Sequence, residues 1–178
     1  MRDGISALFI EGASLHAASK ALGFEVDFKR LLAEFERRGP LLRIYYYATV
    51  MPSNEFSASR PLLDWLEYNG FTVRTKPFRE HDDGEGRRRS KRNLAVDLAI
   101  DAMEIAEHVD NIYLFSGDGD LRRLVEALQR RGVFVTVVSN FHGKPATPTV
   151  ASELRRQADA FWELASLKDM IARADLRE

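Results

Sequence analysis

The segment "LAVDLAIDAMEIAEHVDNIYLFSGDGDLRRLVEALQRRGVFVTVVSN", Leu94–Asn140, carries the pattern from which the fold is read. Leu94–Val109 has Ala95, Leu98 and Ile105 on the apolar face of a helix. "NIYLFS" (Asn111–Ser116) is a continuous apolar run with β-branched and aromatic residues, the signature of a strand buried on both faces. Leu121–Gly132 is helical again, and Val133–Asn140 is a further buried strand. Helix, strand, helix and strand in succession predict an α/β domain, a mainly parallel sheet covered by helices on both faces.

The same alternation extends towards the N-terminus. Ala7–Ile10 reads as a buried strand and Asp27–Gly39 as a helix, with Asp27 as N-cap and Gly39-Pro40 as its stop. Leu42–Thr49 is a strand, Arg60–Gly70 a helix with Pro61 in its first turn, and Phe71–Phe78 a strand that Pro77 restricts to an edge. About five strands result. The polar segment 79–93 is acidic and then basic, and reads as a hairpin tip or loop. Residues 150–178 follow a helical pattern, within which Ala160–Leu164 also fits a short edge strand. The whole of 1–178 is expected to form one domain.

Composition narrows the functions. Lys+Arg number 26 against 27 Asp+Glu, so attraction for nucleic acid has to come from local patches. There are no cysteines, which excludes disulfides, thiolate metal sites and cysteine nucleophiles. The opening apolar run is too short for a signal peptide or membrane span, so a cytoplasmic protein with no membrane partner is the expectation. The four histidines show no paired ligand spacing, which argues against zinc.

In parallel α/β sheets ligands bind beyond the carboxyl ends of the strands. Those ends carry Glu11, Ser116 to Asp120, and Ser139-Asn140. Asp97, Asp101 and Glu104 share one helical stripe, which alone describes a solvated face. Asp118 or Asp120 by itself would be an ordinary helix cap. Two carboxylates spaced by glycines exceed what a cap requires. Converging Glu11, Asp101, Asp118 and Asp120 would suit a hard divalent cation, Mg²⁺ or Mn²⁺, which takes oxygen ligands and leaves positions for phosphate.

"LFIEGASLH", "RPLLDWLEYNGFTV", the Asn93–Val138 region with its "SGDGD", and "SELRRQADAFWEL" together resemble the NYN-domain family, specifically its LabA-like bacterial branch within the PIN-like nuclease group. The likeness runs over roughly residues 5–165. It implies a PIN-like, Rossmann-like three-layer fold, an acidic metal centre, and RNA, single-stranded or structured, as substrate. Asp101, Gly117, Asp118, Gly119 and Asp120 match the family pattern as they stand. Glu11 and Ser14 replace the family's aspartate and asparagine. Arg92 stands for a glycine, and Ala95 for a further aspartate.

The basic run "GRRRSKR" (Gly86–Arg92) offers Arg87, Arg88, Arg89, Lys91 and Arg92 to RNA phosphates, with Arg122 beside the acidic turn. Tyr45, Tyr46 and Tyr47 either stack on bases or pack in the core. Two functions compete. In one, Glu11, Asp101, Asp118 and Asp120 hold the cation for phosphodiester hydrolysis, and Ser14 and Ser116 orient water or ligands. In the other, the changes at Glu11, Ser14 and Ala95 leave an RNA-binding or regulatory protein, with Arg92 reaching in to pair with Asp101 or Asp118 in place of the missing cation. A homodimer is compatible with either.

Overall fold

In the computed structural model of the 178-residue chain, the described residues are 4–50, 59–77, 80–82, 88–90, 94–141 and 149–174. The elements run β1 (Ser6–Glu11), α1 (Gly12–Ala21), α2 (Phe28–Arg38), β2 (Leu41–Val50), α3 (Arg60–Tyr68), β3 (Phe71–Pro77), β4 (Glu80–Asp82), β5 (Arg88–Ser90) and α4 (Ala95–Ile105). They continue with β6 (Asn111–Phe115), a 3-10 turn at Gly119–Leu121, α5 (Arg122–Arg130), β7 (Phe134–Ser139), α6 (Ser152–Gln157), β8 (Ala160–Glu163), a second 3-10 turn and α7 (Lys168–Ile171).

Six strands form one sheet in the order β3-β2-β1-β6-β7-β8, and every pairing in it is parallel. From β1 the chain winds outward to β2 and β3, and from β6 it winds the other way to β7 and β8. The reversal between β1 and β6 is the place where an open parallel sheet leaves a crevice for ligand. Pro77 closes β3, an edge strand, where its missing N–H breaks no ladder. β4 and β5 pair separately as an antiparallel ribbon, which accounts for the hairpin expected within 79–93. Arg87, Lys91 and Arg92 lie outside the described residues, and Arg88 and Arg89 are described only as backbone of β5.

Alternation along the strands divides the core. Phe9, Tyr47, Ile112, Leu114, Val135 and Val137 face α4 and α5. Leu8, Ile10, Tyr46, Tyr113, Phe115 and Val138 face the helices on the other side, which supply Leu15, Leu31, Phe35 and Leu66. Asp27 caps α2 as its sequence implies, accepting from the N–H groups of Lys29 and Arg30 at 2.9 and 3.1 Å.

Three elements are placed by tertiary contact more than by local pattern. The helix α1 has a weak apolar signature: it buries Gly12, Leu15, Ala18 and Ser19, so Leu15 is the one large side chain among small ones on its buried face. The helix expected to reach Val109 ends at Ile105. There Asp110 is tied to β1, its N–H donating to the Ile5 carbonyl and its carboxylate accepting from the Ile5 N–H, both at 2.8 Å. In the C-terminal segment the edge-strand reading of Ala160–Leu164 is the one realised: Ala160–Glu163 adds to β7 as the sixth strand.

The turn from β1 into α1 needs a glycine for space. A Cβ on Gly12 would lie 2.5 Å from the Tyr46 hydroxyl and 2.6 Å from its Cζ. Gly12→Ala is therefore expected to lower stability by about 1–3 kcal/mol, the cost of overpacking a filled site. Urea denaturation checks this, and an unchanged midpoint would show that the Tyr46 ring gives way freely.

Candidate functional site

Glu11 ends β1 and Ser116 follows β6, so the switch between those strands puts both at the carboxyl edge of the sheet. The Ser116 hydroxyl donates to Glu11 Oε2 at 2.6 Å and accepts from the Asp118 N–H at 3.0 Å. Ser14, in the first turn of α1, also donates to the Glu11 carboxylate. Asp118 in turn accepts from the Asp120 N–H at 2.9 Å, capping the 3-10 turn that opens α5. Glu11, Ser14, Ser116 and Asp118 thus form one hydrogen-bonded cluster.

Burial pushes the Glu11 carboxyl above its ordinary value of 4.5; the nearby Asp118 charge raises it further, while the Ser116 and Ser14 hydroxyls oppose the shift. A negative charge held there is poorly solvated and faces another of the same sign. A cation between the two carboxylates would relieve both terms.

The glycines of Gly117-Asp118-Gly119 serve close approach. The Ala151 N–H donates to the Gly117 carbonyl at 3.0 Å, bringing the start of α6 over the turn. A Cβ on Gly117 would stand 3.2 Å from Ser139 Oγ, and one on Gly119 would stand 2.5 Å from Glu153 Oε1. Side chains at either position would push α6 away from the acidic turn.

Asp101 sits elsewhere in the local geometry. It is 6% exposed, and Tyr47 donates its hydroxyl to Oδ2 at 2.8 Å. Arg74, from β3, donates Nε to Oδ2 at 3.1 Å and Nη2 to Oδ1 at 3.0 Å, a two-pronged ion pair. The cation expected at Asp101 was Arg92, which lies outside the described residues; the one that engages it is Arg74. Burial, followed by the hydrogen bond to Asp101, raises the Tyr47 phenol far above its usual range. The Asp101 carboxylate likewise raises Arg74 by accepting its hydrogen bonds.

Asp120 is exposed and lines a groove of about 710 Å³ with Gly119, Arg122, Arg123, Glu153, Arg156 and Gln157. Among the described residues no group of three or more Asp, Glu or His side chains stands in metal-holding geometry. Glu11 and Asp118 are the pair the fold brings together, with Asp101 held by Arg74 and Asp120 turned to the groove. One or two carboxylates, completed by water and phosphate oxygens, are a usual protein share of a Mg²⁺ shell, so this donor set fits a hard divalent cation.

Of the three consecutive tyrosines, Tyr46 and Tyr47 are buried, and Tyr45 stacks on Phe9 at 4.6 Å between ring centroids. Packing accounts for them. Of the stripe Asp97, Asp101 and Glu104, only Glu104 is exposed as a solvated face implies, while Asp97 is half-buried and pairs with Lys76. Ala95 packs against the core near the start of α4. Arg74 is the residue that sequence reasoning missed. It lies in the middle of the edge strand β3, and no local pattern in the sequence pairs it with Asp101.

Comparison with known proteins gives concordant results. Residues 6–165 match the family model described as the NYN domain. The protein named "Low amplitude and bright protein LabA" of Synechococcus elongatus is 33% identical over 176 residues, covering 97% of this chain and 90% of that protein. A crystal structure of a Vibrio parahaemolyticus protein of unknown function, VPA0982, superposes with a TM-score of 0.74 at 25% identity, covering 96% of this chain and 99% of that one.

Proposed function

The chain belongs to the NYN domain family, with LabA among its relatives, and from that premise we propose that it is a divalent-metal-dependent ribonuclease-type protein acting on RNA phosphodiesters. The observation that carries this reading is the Glu11–Ser116–Asp118 cluster at the β1/β6 switch point, where one hydroxyl links the Glu11 carboxylate to the backbone N–H of Asp118. Glu11 and Asp118 would hold Mg²⁺ or Mn²⁺, with Asp120 approaching from its groove. Such a cation lowers the pKa of a bound water and stabilises the oxygen that leaves phosphorus.

The chain's own residues set up that chemistry. Ser116 fixes the Glu11 carboxylate and, through its acceptance of the Asp118 N–H, fixes the turn that carries Asp118. Ser14 holds Glu11 from the helix side. Arg122 and the basic segment 87–92 offer positive charge to the RNA backbone, which the acidic cluster alone repels.

A second reading has a specific observation behind it. Asp101 is already neutralised by Arg74 and hydrogen-bonded by Tyr47, and Ala95 brings no carboxylate. This favours an RNA-binding protein with a reduced centre. Incubating labelled mixed-sequence RNA with Mn²⁺, Mg²⁺ or EDTA separates the two. Cutting in metal and none in EDTA supports the nuclease, whereas intact RNA with salt-sensitive binding supports the binder.

The raised Glu11 pKa also gives a pH dependence. A carboxyl raised on folding contributes stability that is present below its unfolded pKa and lost as pH rises through its folded pKa. In EDTA, wild type should therefore gain stability relative to Glu11→Gln as pH falls through the raised value. Mn²⁺ affinity should move the opposite way, falling over that interval because cation and proton compete for Glu11. Calorimetric titration across pH checks both, and identical profiles for the two proteins would remove Glu11 from the site.

A further inference from the structure

The Arg74–Asp101–Tyr47 constellation is more than a neutralised carboxylate. Glu11, Tyr47 and Arg74 are register partners across β1, β2 and β3, so they occupy one row, level with the carboxyl end of β1. Two strand spacings place the Arg74 backbone about 9–10 Å from that of Glu11. Asp101 comes down from α4 to this row and is 6% exposed, while the Arg74 side chain is 50% exposed. Asp101 takes two of the five guanidinium N–H donors. The carboxylate and the buried Tyr47 hydroxyl therefore fix the plane of a cation that still presents donors to solvent.

A guanidinium held in this way is pre-organised for an anion that presents two oxygens side by side, as the two non-bridging oxygens of a phosphodiester do. We propose that Arg74 is an RNA phosphate-binding residue beside the acidic cluster and that Asp101 acts as its positioning residue; the proposal rests on the RNA reading above. Lys76 lies two residues further along the same face of β3 and is tied to Asp97, one helical turn before Asp101 on α4. The edge strand therefore carries two cations, each anchored to α4. Along the chain, β3 is followed by the ribbon and the basic run. The backbone of a bound strand would meet Arg74 a nucleotide or two from the phosphate at the cluster.

The assignment predicts an effect whose sign is unusual. Removing the Asp101 charge, taken alone, should strengthen attraction for RNA. If Asp101 orients Arg74, Asp101→Asn should instead weaken binding, because the guanidinium loses its charged anchor.

The test is fluorescence anisotropy of a labelled single-stranded RNA over a salt series in EDTA, with melting temperatures recorded for every variant. Arg74→Gln is expected to weaken binding about tenfold, the worth of one charge-assisted contact. It should also reduce the log–log salt slope by about 0.7. Arg74→Lys, which keeps the charge and guards against misreading a folding defect, should keep the slope and lose about threefold in affinity. Asp101→Asn should weaken binding by a similar factor, with little further loss in the Arg74→Gln/Asp101→Asn double variant. Wild-type affinity in Arg74→Gln, or tighter binding in Asp101→Asn, would overturn the assignment and leave the RNA reading intact. Failure of wild type to bind RNA would overturn both.

Discussion

Asp118→Asn is expected to reduce Mn²⁺-dependent RNA cleavage by about 100-fold or more, in line with removal of one preorganised electrostatic group from a reacting centre. Asparagine keeps the side-chain oxygen that accepts the Asp120 N–H, so the turn opening α5 should survive. A melting temperature within about 3 °C of wild type, equivalent to roughly 1 kcal/mol in a chain of this size, would confirm that. The charge is the intended casualty. Its removal also lowers the Glu11 pKa, since the Asp118 charge is one of the two influences that raise it. The variant should thus lose cation affinity and shift any remaining pH dependence towards acid. Single-turnover cleavage at saturating RNA, with Mn²⁺ titrated in each protein, isolates the effect. Equal rates for Asp118→Asn and wild type at every Mn²⁺ concentration would place the chemistry away from this cluster.

Asp101 makes a useful contrast. Asp101→Asn is predicted to act on RNA affinity and its salt dependence, whereas Asp118→Asn is predicted to act on cation affinity and turnover. Two aspartates from one acidic motif set are thereby given different work by their neighbours. The sequence places both near the sheet's carboxyl edge and says nothing of which cation each will meet.

Much of the architecture was legible because it depends on local pattern. Runs such as Ile112–Phe115 carry large, mostly apolar side chains at every position, and only strands covered on both faces require that. Asp27, Pro61 and Pro77 act through their own backbone or cap chemistry, so each can be read in isolation. Elements decided by tertiary contact were less legible. α1 buries mostly small residues, and α4 stops where Asp110 finds Ile5. β8 becomes a strand because β7 offers a free edge.

The site divides along the same line. Position at strand ends predicted Glu11, Ser116 and Asp118, since topology alone carries those residues to the crevice. Whether Asp101 is free depended on a partner from β3, 27 residues earlier, and no local pattern announces such a pairing. The glycines of "SGDGD" suggested a loosened turn. None of them has the positive backbone dihedral that only glycine favours, and their service is to admit α6 against the turn.

Phe9→Ala is expected to have the largest effect on stability, about 3–5 kcal/mol, as for other fully buried aromatic truncations. Phe9 has no exposed surface, lies in the central strand β1, and stacks on Tyr45 at 4.6 Å and Tyr47 at 6.4 Å. Both neighbours belong to β2, so the cavity would open where the middle of the sheet meets α4 and α5. A loss of that size should lower the melting temperature by about 10 °C. Phe9→Leu, which keeps most of the apolar volume, should lose much less. The effect should also reach the crevice. Tyr47 is held on one side by Phe9 and ends on Asp101, which orients Arg74. At a temperature where the folded state dominates, Phe9→Ala should therefore weaken RNA binding, whereas a cavity variant equally destabilising but remote from Tyr47, such as Leu31→Ala beneath α2, should not. Urea denaturation with anisotropy on both proteins makes the comparison. Equal RNA affinity in the two would mean that Tyr47 holds its place without the ring beside it.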